Sequence, residues 1–375
     1  MRDVALLSGE ITALIVQRAI TRLSPDALRV MEALALFERP VTLPALAFLL
    51  APYLDTSTLR VILARLVSGY FASFNKATQQ FALHAIDREY CYQIIPAGSP
   101  EDRHVNPPPF TRYALHVRAA ENYKLQRKPQ DQWLTMDDLA PQLAEIEQGF
   151  AAEDYDEVAP VLLAIDRDYL WEWGQQARLT DWHRRLRGHL TDPHLAQDSL
   201  RRYAWTQFFI NRDEADTIFE QLLLDARRIG DRQLEADALD DLAQTLRRKT
   251  DLVGGLQRHQ QAYEIYKEIG DRRGQAEALG GMGTSASFLF PAKALGYLEE
   301  AAAIQTELNN VHSLAFLKRT LGQAYLEVGR QEQAIISLKE ALSVAQDLNN
   351  LGSMAQTLSG LGQLYAYLGR YEIPS

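Results

Sequence analysis

The segments DDLAQTL (240–246), GGMGTSA (280–286), RTLGQAY (319–325) and SGLGQLY (359–365) repeat one pattern along the C-terminal half of the chain. A large apolar residue recurs at spacings of 40, 39 and 40 and is followed each time by alanine or glycine. These large residues are Leu242, Met282, Leu321 and Leu361. An alanine also stands seven positions before each small residue, and offsets of three, four and seven lie on one helical face. Each copy therefore predicts a helix with a stripe of small residues.

A second helix follows the middle copies. Ala334, Leu338 and Ala341 continue the pattern after Gly322, and a similar set follows Gly283. A second helix can approach closely only where no large side chain intervenes. Turn residues separate the copies, because glycine or asparagine ends a helix and aspartate or asparagine caps the next one. These turns are Gly230-Asp231, Gly270-Asp271, Asn309-Asn310 and Asn349-Asn350. The sequence thus predicts a repeated helix pair.

Over about residues 199–375, this arrangement resembles the tetratricopeptide repeat (TPR) family. The best copy reads A-x-x-L-x-x-L-G-x-x-Y from Ala355 to Tyr365. Three positions depart from the pattern: His259 replaces a large apolar residue, Lys318 replaces leucine, and the turn before Pro291 is one residue short. Gly280 and Gly281 lie inside a predicted helix, where glycine is unfavourable, so we expect a neighbouring helix to approach closely there.

Stacked helix pairs form a superhelix whose concave wall carries the first-helix residues that packing leaves free. By spacing, these residues are Asp237, Asp240, Gln244, Arg247, Arg248, Glu277, Thr284, Phe288, Phe316, Arg319, Gln323, Glu327, Gln356, Ser359, Gln363 and Tyr367. The mixture of amides, charges and aromatic rings suits a peptide or protein segment better than an apolar small molecule. The alternative is that these residues only form solvated helix faces.

Composition limits the classes of function. The 375 residues are 47% hydrophobic, which is enough to bury a core, and the formal charge of -10 argues against a general polyanion binder. The single cysteine, Cys91, excludes an internal disulfide framework and multi-cysteine metal sites. No apolar run has the length of a membrane helix, and the N-terminus lacks the pattern of a secretion signal. We therefore expect a cytoplasmic protein without membrane partners.

Upstream of the repeats, residues 110–198 predict an irregular helical connector, and the proline-rich and charged residues 97–109 predict a linker. Trp171, Trp173 and Trp182 are candidates for an aromatic ligand cage. We interpret them instead as core residues between irregular helix pairs, because aromatic side chains bury large areas.

The order of three helices and a hairpin indicates a winged-helix domain in residues 1–96. Ser24-Pro25 and Asp55 begin two of these helices, and a turn at 75–78 joins two short strands. Six basic and six acidic residues between Ser24 and Pro96 cancel. The third helix offers only Arg60 and Arg65 among apolar residues, whereas a recognition helix needs polar and basic side chains. Nucleic acid is thus an unlikely partner, and the domain is predicted to contact protein.

Residues 23–96, 127–147 and 168–174 together resemble the region that follows the ATPase in bacterial signal-transduction ATPases with numerous domains (STAND proteins). The resemblance implies a winged helix that joins an ATPase domain to a repeat sensor, with a resting ADP-bound state that an inducer opens. It also implies that His84 contacts the ADP phosphate in the full-length protein. Ala85 departs from the family's acidic residue, and a packed or capped hairpin histidine is an equally good interpretation of His84.

No catalytic or metal site is predicted within the chain. It contains no G-x-x-x-x-G-K-[ST] motif, so ADP or ATP with magnesium is implied only for a full-length protein. His183, His189 and His194 are spaced six and five apart and do not share a helical face. The last copy lacks its second helix, which predicts that the chain is part of a longer protein. We therefore expect no enzymatic activity.

Two hypotheses follow from these patterns. The first is a regulatory and sensor fragment of a STAND-type signalling NTPase that binds an inducer protein or peptide through the TPR groove and contacts the ATPase domain of the same full-length chain. This fragment contributes to autoinhibition and to the control of multimerisation. The second is a TPR adaptor or transcriptional regulator whose winged helix binds DNA. In the first, the inducer must bind the open arrangement more tightly than the closed one, since equal affinity shifts no equilibrium.

Overall fold

The computed structural model of the protein describes residues 17–287, 289–348 and 351–367. The chain is mainly α-helical and divides into two compact units between Leu162 and Leu163. This division lies inside the predicted connector 110–198. The domain boundaries predicted at residues 96, 109 and 198 stay predictions, and each structural unit is described by itself below.

The first unit begins with helices and a small antiparallel sheet in the predicted order. Its elements are α1 (Pro25–Ala35), β1 (Val41–Thr42), α2 (Leu43–Leu50), α3 (Thr56–Ser68), β2 (Ala72–Asn75), β3 (Gln80–Leu83) and α4 (Ala85–Ile94). The strands lie in the order β1-β3-β2, with Val41 opposite Phe81 and Ala72 opposite Leu83. The identification of this segment as a winged helix stays a prediction.

Side-chain caps start the helices where the sequence predicts them. The Ser24 hydroxyl accepts a hydrogen bond from the Ala27 amide at 3.3 Å, and Pro25 is the first residue of α1. Asp55 accepts from the amides of Ser57 and Thr58 at 2.9 and 3.0 Å. These bonds satisfy amides that have no partner inside the helix, so the predicted helix starts are confirmed.

The core of the first unit is formed by leucines and methionine on the facing sides of α1, α2 and α3. Met31, Leu46 and Leu63 are almost completely buried, together with Cys91 on α4. Burial, with added repulsion from Asp87 and Glu32, raises the pKa of the Cys91 thiol to about 12. A thiol in this state is a packing group rather than a nucleophile.

The first unit continues through the predicted linker into two further helices. A short 3-10 helix (Pro100–His104) precedes α5 (Arg112–Lys124), and a second one (Gln130–Gln132) precedes α6 (Ala140–Ala151). The segment 97–109 is held by hydrogen bonds, including Thr111 Oγ1 to Asp102 Oδ2 at 2.6 Å and Tyr53 OH to the Pro109 carbonyl at 3.0 Å. It therefore has defined local structure.

Helix α7 (Tyr155–Ile165) crosses the division, and the second unit continues as a series of helix pairs. After a π-helical turn (Asp166–Trp171) come α8 (Gln176–Leu186), α9 (Pro193–Gln207), α10 (Arg212–Ile229), α11 (Arg232–Arg248), α12 (Leu252–Ile269), α13 (Arg272–Ala286), α14 (Pro291–Glu307), α15 (Val311–Glu327), α16 (Gln331–Asp347) and α17 (Leu351–Tyr367). Helices α11, α13, α15 and α17 carry the four copies of the repeated pattern. They are called the first helices below.

The predicted turns end one helix and cap the next. Gly230 and Gly270 adopt positive φ angles of 76° and 77°, and the following aspartates accept hydrogen bonds from the amides of Leu234 and Gly274. Asn310 caps α15 in the same way, through the Ser313 amide. Asn349 and Asn350 lie outside the described residues.

Glycine in the small-residue stripe allows consecutive helices to pack closely. A Cβ atom on Gly283 would lie 2.5 Å from Leu298 Cγ, and one on Gly322 would lie 2.6 Å from Leu338 Cγ. The contacted leucine is 15 residues away in the first case and 16 in the second. This difference matches the distance from each glycine to the start of the following helix, because α14 starts eight residues after Gly283 and α16 starts nine residues after Gly322.

We predict that Gly322→Ala lowers the free energy of unfolding by about 1 to 3 kcal/mol, because the new methyl group overpacks the contact with Leu338. Gly362 occupies the same repeat position, but no described atom lies within 4 Å of a Cβ placed there. Gly362→Ala should therefore raise stability by about 0.5 to 1 kcal/mol through helix propensity. Urea unfolding followed by circular dichroism measures both changes, and equal stabilisation by the two variants would contradict the packing argument.

A second prediction concerns Glu32, which is buried in α1. Burial raises the pKa of Glu32 to about 7, although the Arg29 charge lowers it. Because the folded protein favours the protonated carboxyl, its contribution to stability is fully present below pH 4.5, the ordinary pKa of glutamate. This contribution is lost as the pH rises through about 7, where the buried carboxyl ionises. Glu32→Gln should thus be more stable than the wild type by about 1 to 3 kcal/mol at pH 8 and nearly equal to it at pH 5.

Urea unfolding of both proteins at pH 5 and pH 8 tests this prediction. Glu38→Gln changes an exposed glutamate nearby and is the matched control. A stability difference between Glu32→Gln and the wild type that is the same at both pH values would show that the Glu32 carboxyl is solvated.

Candidate functional site

A cleft of about 440 Å³ lies in the second unit. Its walls are formed by α9, by the first helices α11, α13 and α15, by one residue of α14, and by the turn Asp166–Trp171 together with part of α8. The cleft has both charged and aromatic walls. A volume of this size is typical of sites that hold a small ligand or a few side chains of a partner.

The structure brings six of the sixteen predicted concave-wall residues together at the cleft. They are Asp240, Gln244, Arg247, Glu277, Thr284 and Phe316. Another eight do not line it: Asp237, Arg248, Arg319, Gln323, Glu327, Gln356, Ser359 and Gln363. Phe288 and the side chain of Tyr367 lie outside the described residues. A binding role for any of the sixteen stays a prediction.

The sequence reasoning missed most of the residues that α9 and the π-helical turn contribute. It named Trp171 as a candidate for a ligand cage but assigned it to the core, whereas the structure places it in the cleft lining. Arg201, Arg202 and Trp205 line the cleft from α9. Tyr203 stands 40 residues before Ala243 and is large, so the small-residue pattern does not extend to this helix. A different signal was present, since Arg201 stands one repeat of 40 residues before Asp241 and carries the opposite charge.

Arg201 is the centre of a buried charge network. Its Nε and Nη2 atoms donate to Asp241 at 2.5 and 3.0 Å, and its Nη1 donates to Asp237 at 2.9 Å. Trp205 Nε1 also donates to Asp241, and the Tyr266 hydroxyl donates to Asp237 at 2.7 Å. Burial raises the pKa of the Asp241 carboxyl, although Arg201 lowers it. The network joins α9, α11 and α12, and it shows that Asp237 is a structural partner of Arg201.

Glu277 connects the π-helical turn to α13. It accepts hydrogen bonds from Arg167 at 2.7 Å and from Arg273 at 3.1 Å, and Arg273 also bonds Asp168 at 3.1 Å. Burial alone would raise the pKa of Glu277, but the two guanidinium charges outweigh it and lower the pKa. Glu277 thus has its charge satisfied inside the protein.

Two buried histidines pair with carboxylates that line the cleft. His183 contacts Ser199 Oγ through Nδ1 at 2.9 Å and Asp166 through Nε2 at 3.3 Å. His259 contacts Asp240 through Nδ1 at 2.7 Å. Both imidazoles are inaccessible to solvent. The pairs therefore hold Asp166 and Asp240 in place, with His183 as part of the cleft lining and His259 behind it.

His259 also explains the glycine at position 281. A Cβ atom on Gly281 would lie only 2.3 Å from Cε1 of the imidazole, so the two residues depend on each other. The expectation of a close neighbour at Gly281 is confirmed. The departure from the repeat pattern at His259 is thus compensated by Gly281 and by the hydrogen bond to Asp240.

The arrangement is suited to binding. Among the described residues, no group of three or more His, Cys, Asp or Glu side chains is placed to hold a metal ion. In the first unit, His84 is exposed and begins α4 without a cap hydrogen bond from its ring. Its contact with ADP stays a prediction.

None of the described helices combines the length and apolarity needed to cross a membrane.

These observations define the class of the second unit, which is a TPR-like stack of helix pairs. In fold, the chain is similar to the STAND protein with a tetratricopeptide repeat sensor from Pyrococcus horikoshii, with a TM-score of 0.63 and 14% sequence identity. The similarity covers 95% of this chain and 50% of that protein, so the chain spans about half of its length.

Two further solved structures are similar to parts of the chain. A Rap protein complexed with Competence and Sporulation Factor has a TM-score of 0.46 at 16% identity, over 69% of this chain and 66% of that one. Aspartyl phosphate phosphatase F from Bacillus subtilis has a TM-score of 0.45 at 10% identity, over 76% and 78%. No protein-family model and no curated protein matches the sequence.

We predict that Arg201→Met lowers the free energy of unfolding at pH 7 by about 3 to 5 kcal/mol, because it leaves the buried Asp241 without its counter-charge. The loss should become smaller as the pH falls toward 3.8, the ordinary value for aspartate, since the isolated carboxyl then binds a proton in the folded state. Urea unfolding of Arg201→Met and the wild type at pH 4.5 and pH 7, under otherwise identical conditions, measures the loss in free energy of unfolding at each pH.

Arg227→Met is the matched control, because Arg227 forms a solvent-exposed pair with Glu235 at 2.9 Å. It should cost less than about 1 kcal/mol at either pH. A similar cost for both variants would mean that the Arg201 network contributes no more than a surface ion pair.

Proposed function

We propose that the chain is the regulatory and sensor part of a STAND-type signalling NTPase and that its repeat cleft binds an inducer protein or peptide. The observation that carries the proposal is the cleft itself, which side chains from successive first helices line together. The similarity in fold to a STAND protein with a TPR sensor supports it as an analogy of architecture.

The chemistry of the cleft favours binding over catalysis. Most of its carboxylates are already paired with arginine or histidine, and the imidazoles of His183 and His259 are both buried. A general base must reach a proton of the substrate with a free lone pair, which a paired carboxylate or a buried imidazole does not offer. A peptide instead needs aromatic surface and fixed hydrogen-bonding groups, which Phe316, Trp205 and Gln244 supply in this cleft.

Coupling between the cleft and a distant domain requires that the inducer bind two arrangements of the helix pairs with different affinity. The charged contacts from Arg201 to Asp237 and from Glu277 to Arg167 join different helical elements. An inducer that alters the angle between these elements would change those contacts. In this proposal, that change shifts the equilibrium of the full-length protein away from its resting arrangement.

The first unit would contact the ATPase domain of the full-length protein. The exposed face of α3 carries Arg60, Val61 and Arg65, a mixture that suits protein better than the grooves of DNA. His84 would reach the ADP phosphate in the closed state, and the ATPase domain would hold the nucleotide and magnesium. A signalling protein of this kind acts in the cytoplasm.

The peptide-binding role is tested by filling the cleft. Thr284 lines the cleft, and its hydroxyl donates to the Gly280 carbonyl one turn earlier on α13. We predict that phage-displayed peptides selected on the immobilised chain lose at least about tenfold in affinity for Thr284→Trp, because the indole occupies their site. Fluorescence anisotropy of the selected peptides measures the loss.

Thr217→Trp is the matched control. Thr217 is an exposed residue of α10 whose hydroxyl makes the same bond, to the Asp213 carbonyl, and it lies outside the cleft. Selected peptides should bind this variant as they bind the wild type. Equal affinity of the selected peptides for Thr284→Trp and the wild type would contradict binding in the cleft. Salt-sensitive retention of the chain on duplex DNA, in place of peptide binding, would favour the adaptor or DNA-binding alternative.

A further inference from the structure

Arg247 is a half-buried cation in the cleft whose charge the described part of the chain leaves unpaired. Its Nε and Nη2 atoms donate to Gln244 Oε1 at 3.3 and 3.1 Å, and both residues lie on α11. Burial, together with repulsion from Arg248, lowers the pKa of this guanidinium. A partly desolvated cation without a counter-charge is unfavourable, so a ligand with an anionic group would gain affinity there.

The other arginines that line the cleft already have carboxylate partners. Arg201 pairs with Asp241 and Asp237, Arg202 with Asp166, Arg167 with Glu277, and Arg273 with Asp168 and Glu277. The lining carries six carboxylates and five guanidinium groups. A polyanion would meet this excess of negative charge, whereas a single carboxylate can reach Arg247.

Aromatic surface lies in the same cleft. Phe316 is 47% exposed, and Phe209 is exposed next to Phe208. The guanidinium of Arg248 lies 4.4 Å from the centre of the Phe209 ring, which adds positive charge beside this apolar surface. A ligand that combines a carboxylate with an aromatic or aliphatic side chain matches both features.

A third feature points to a backbone amide in the ligand. Gln305 lines the cleft and is 1% exposed, and its Oε1 atom has no hydrogen-bond partner in the described structure. A buried carbonyl oxygen without a donor is unfavourable. The N–H group of a peptide backbone is a suitable donor for this oxygen once the Gln305 side chain turns toward the cleft, because protein atoms cover the oxygen in the described conformation.

We propose that the cleft selects an acidic peptide segment in which a glutamate or aspartate stands beside an aromatic residue. The carboxylate pairs with Arg247, the aromatic side chain packs on Phe316, and a backbone N–H donates to Gln305 Oε1. This selectivity rests on the proposed function, because it assigns the class of peptide that the same cleft binds.

Fluorescein-labelled decapeptide pools with randomised flanks test the selectivity. Their central dipeptide is fixed as Glu-Phe, Gln-Phe, Lys-Phe or Glu-Ala, and each pool is titrated against the full chain by anisotropy. We expect the Glu-Phe pool to bind at least about tenfold more tightly than the Gln-Phe pool, which is the size expected for a charged hydrogen bond. The Lys-Phe and Glu-Ala pools should also bind more weakly than Glu-Phe.

Arg247→Gln should remove the preference for Glu-Phe over Gln-Phe and leave the preference for Phe over Ala. Arg228→Gln is the control, because Arg228 is an exposed residue of α10 outside the cleft. Circular dichroism and the urea midpoint check that both variants fold, and Arg247→Lys, which keeps the charge, should retain part of the preference.

The outcomes separate this inference from the proposed function. Equal binding of the Glu-Phe and Gln-Phe pools, with both lost in Thr284→Trp, would overturn the acidic selectivity and leave peptide binding intact. Tighter binding of the Lys-Phe pool would also overturn it. Failure of every pool to bind would contradict both proposals.

Discussion

Close contact between consecutive helices is the constraint on which the second unit depends. At Gly283 and Gly322 the following helix packs against the bare backbone, with Leu298 and Leu338 in the space that a Cβ atom would take. Each pair can then stack on the next with its first helix on the same side. As a result, side chains that are about 40 residues apart in sequence, such as Arg201 and Asp241, become neighbours.

The cleft is polar because its charges compensate one another. Arg201, Asp241 and Glu277 are all largely buried, and each would be costly without the partners that surround it. Their contacts connect α9, α11, α13 and the π-helical turn, so the same bonds that satisfy the charges also set the positions of the cleft walls. Arg247 differs from them, since its guanidinium bonds only a neutral amide. The resulting local excess of positive charge is the basis for the selectivity proposed above.

The two units differ in the kind of evidence they provide about function. The second unit contains a cleft with residues whose bonding state can be compared one by one, and an occupant can be inferred from the groups that are left unsatisfied. The first unit contains a three-stranded sheet packed with helices, and the exposed face of its helix α3 carries two charged side chains, Arg60 and Arg65. Its contact with an ATPase domain therefore stays a proposal that rests on the sequence resemblance, because the similarity to a solved STAND protein shows the fold alone.

The sequence by itself determined the helical class, the repeat period, the caps at Ser24, Asp55 and Asp231, and the close approach at Gly281. The caps depend on local rules, because a capping side chain acts within one turn of its own position. The repeated small residues mark the positions where a neighbouring helix must approach, although they do not identify the residue that fills the space. Only the tertiary structure decided which charged residues of the predicted groove are paired with another side chain of the protein. The sequence assigned Asp237 and Glu277 to an open groove, yet Arg201 and Arg167 bind them from another helix and from the π-helical turn. Whether a charge is free depends on partners brought together by stacking, and helical periodicity carries no information about those partners.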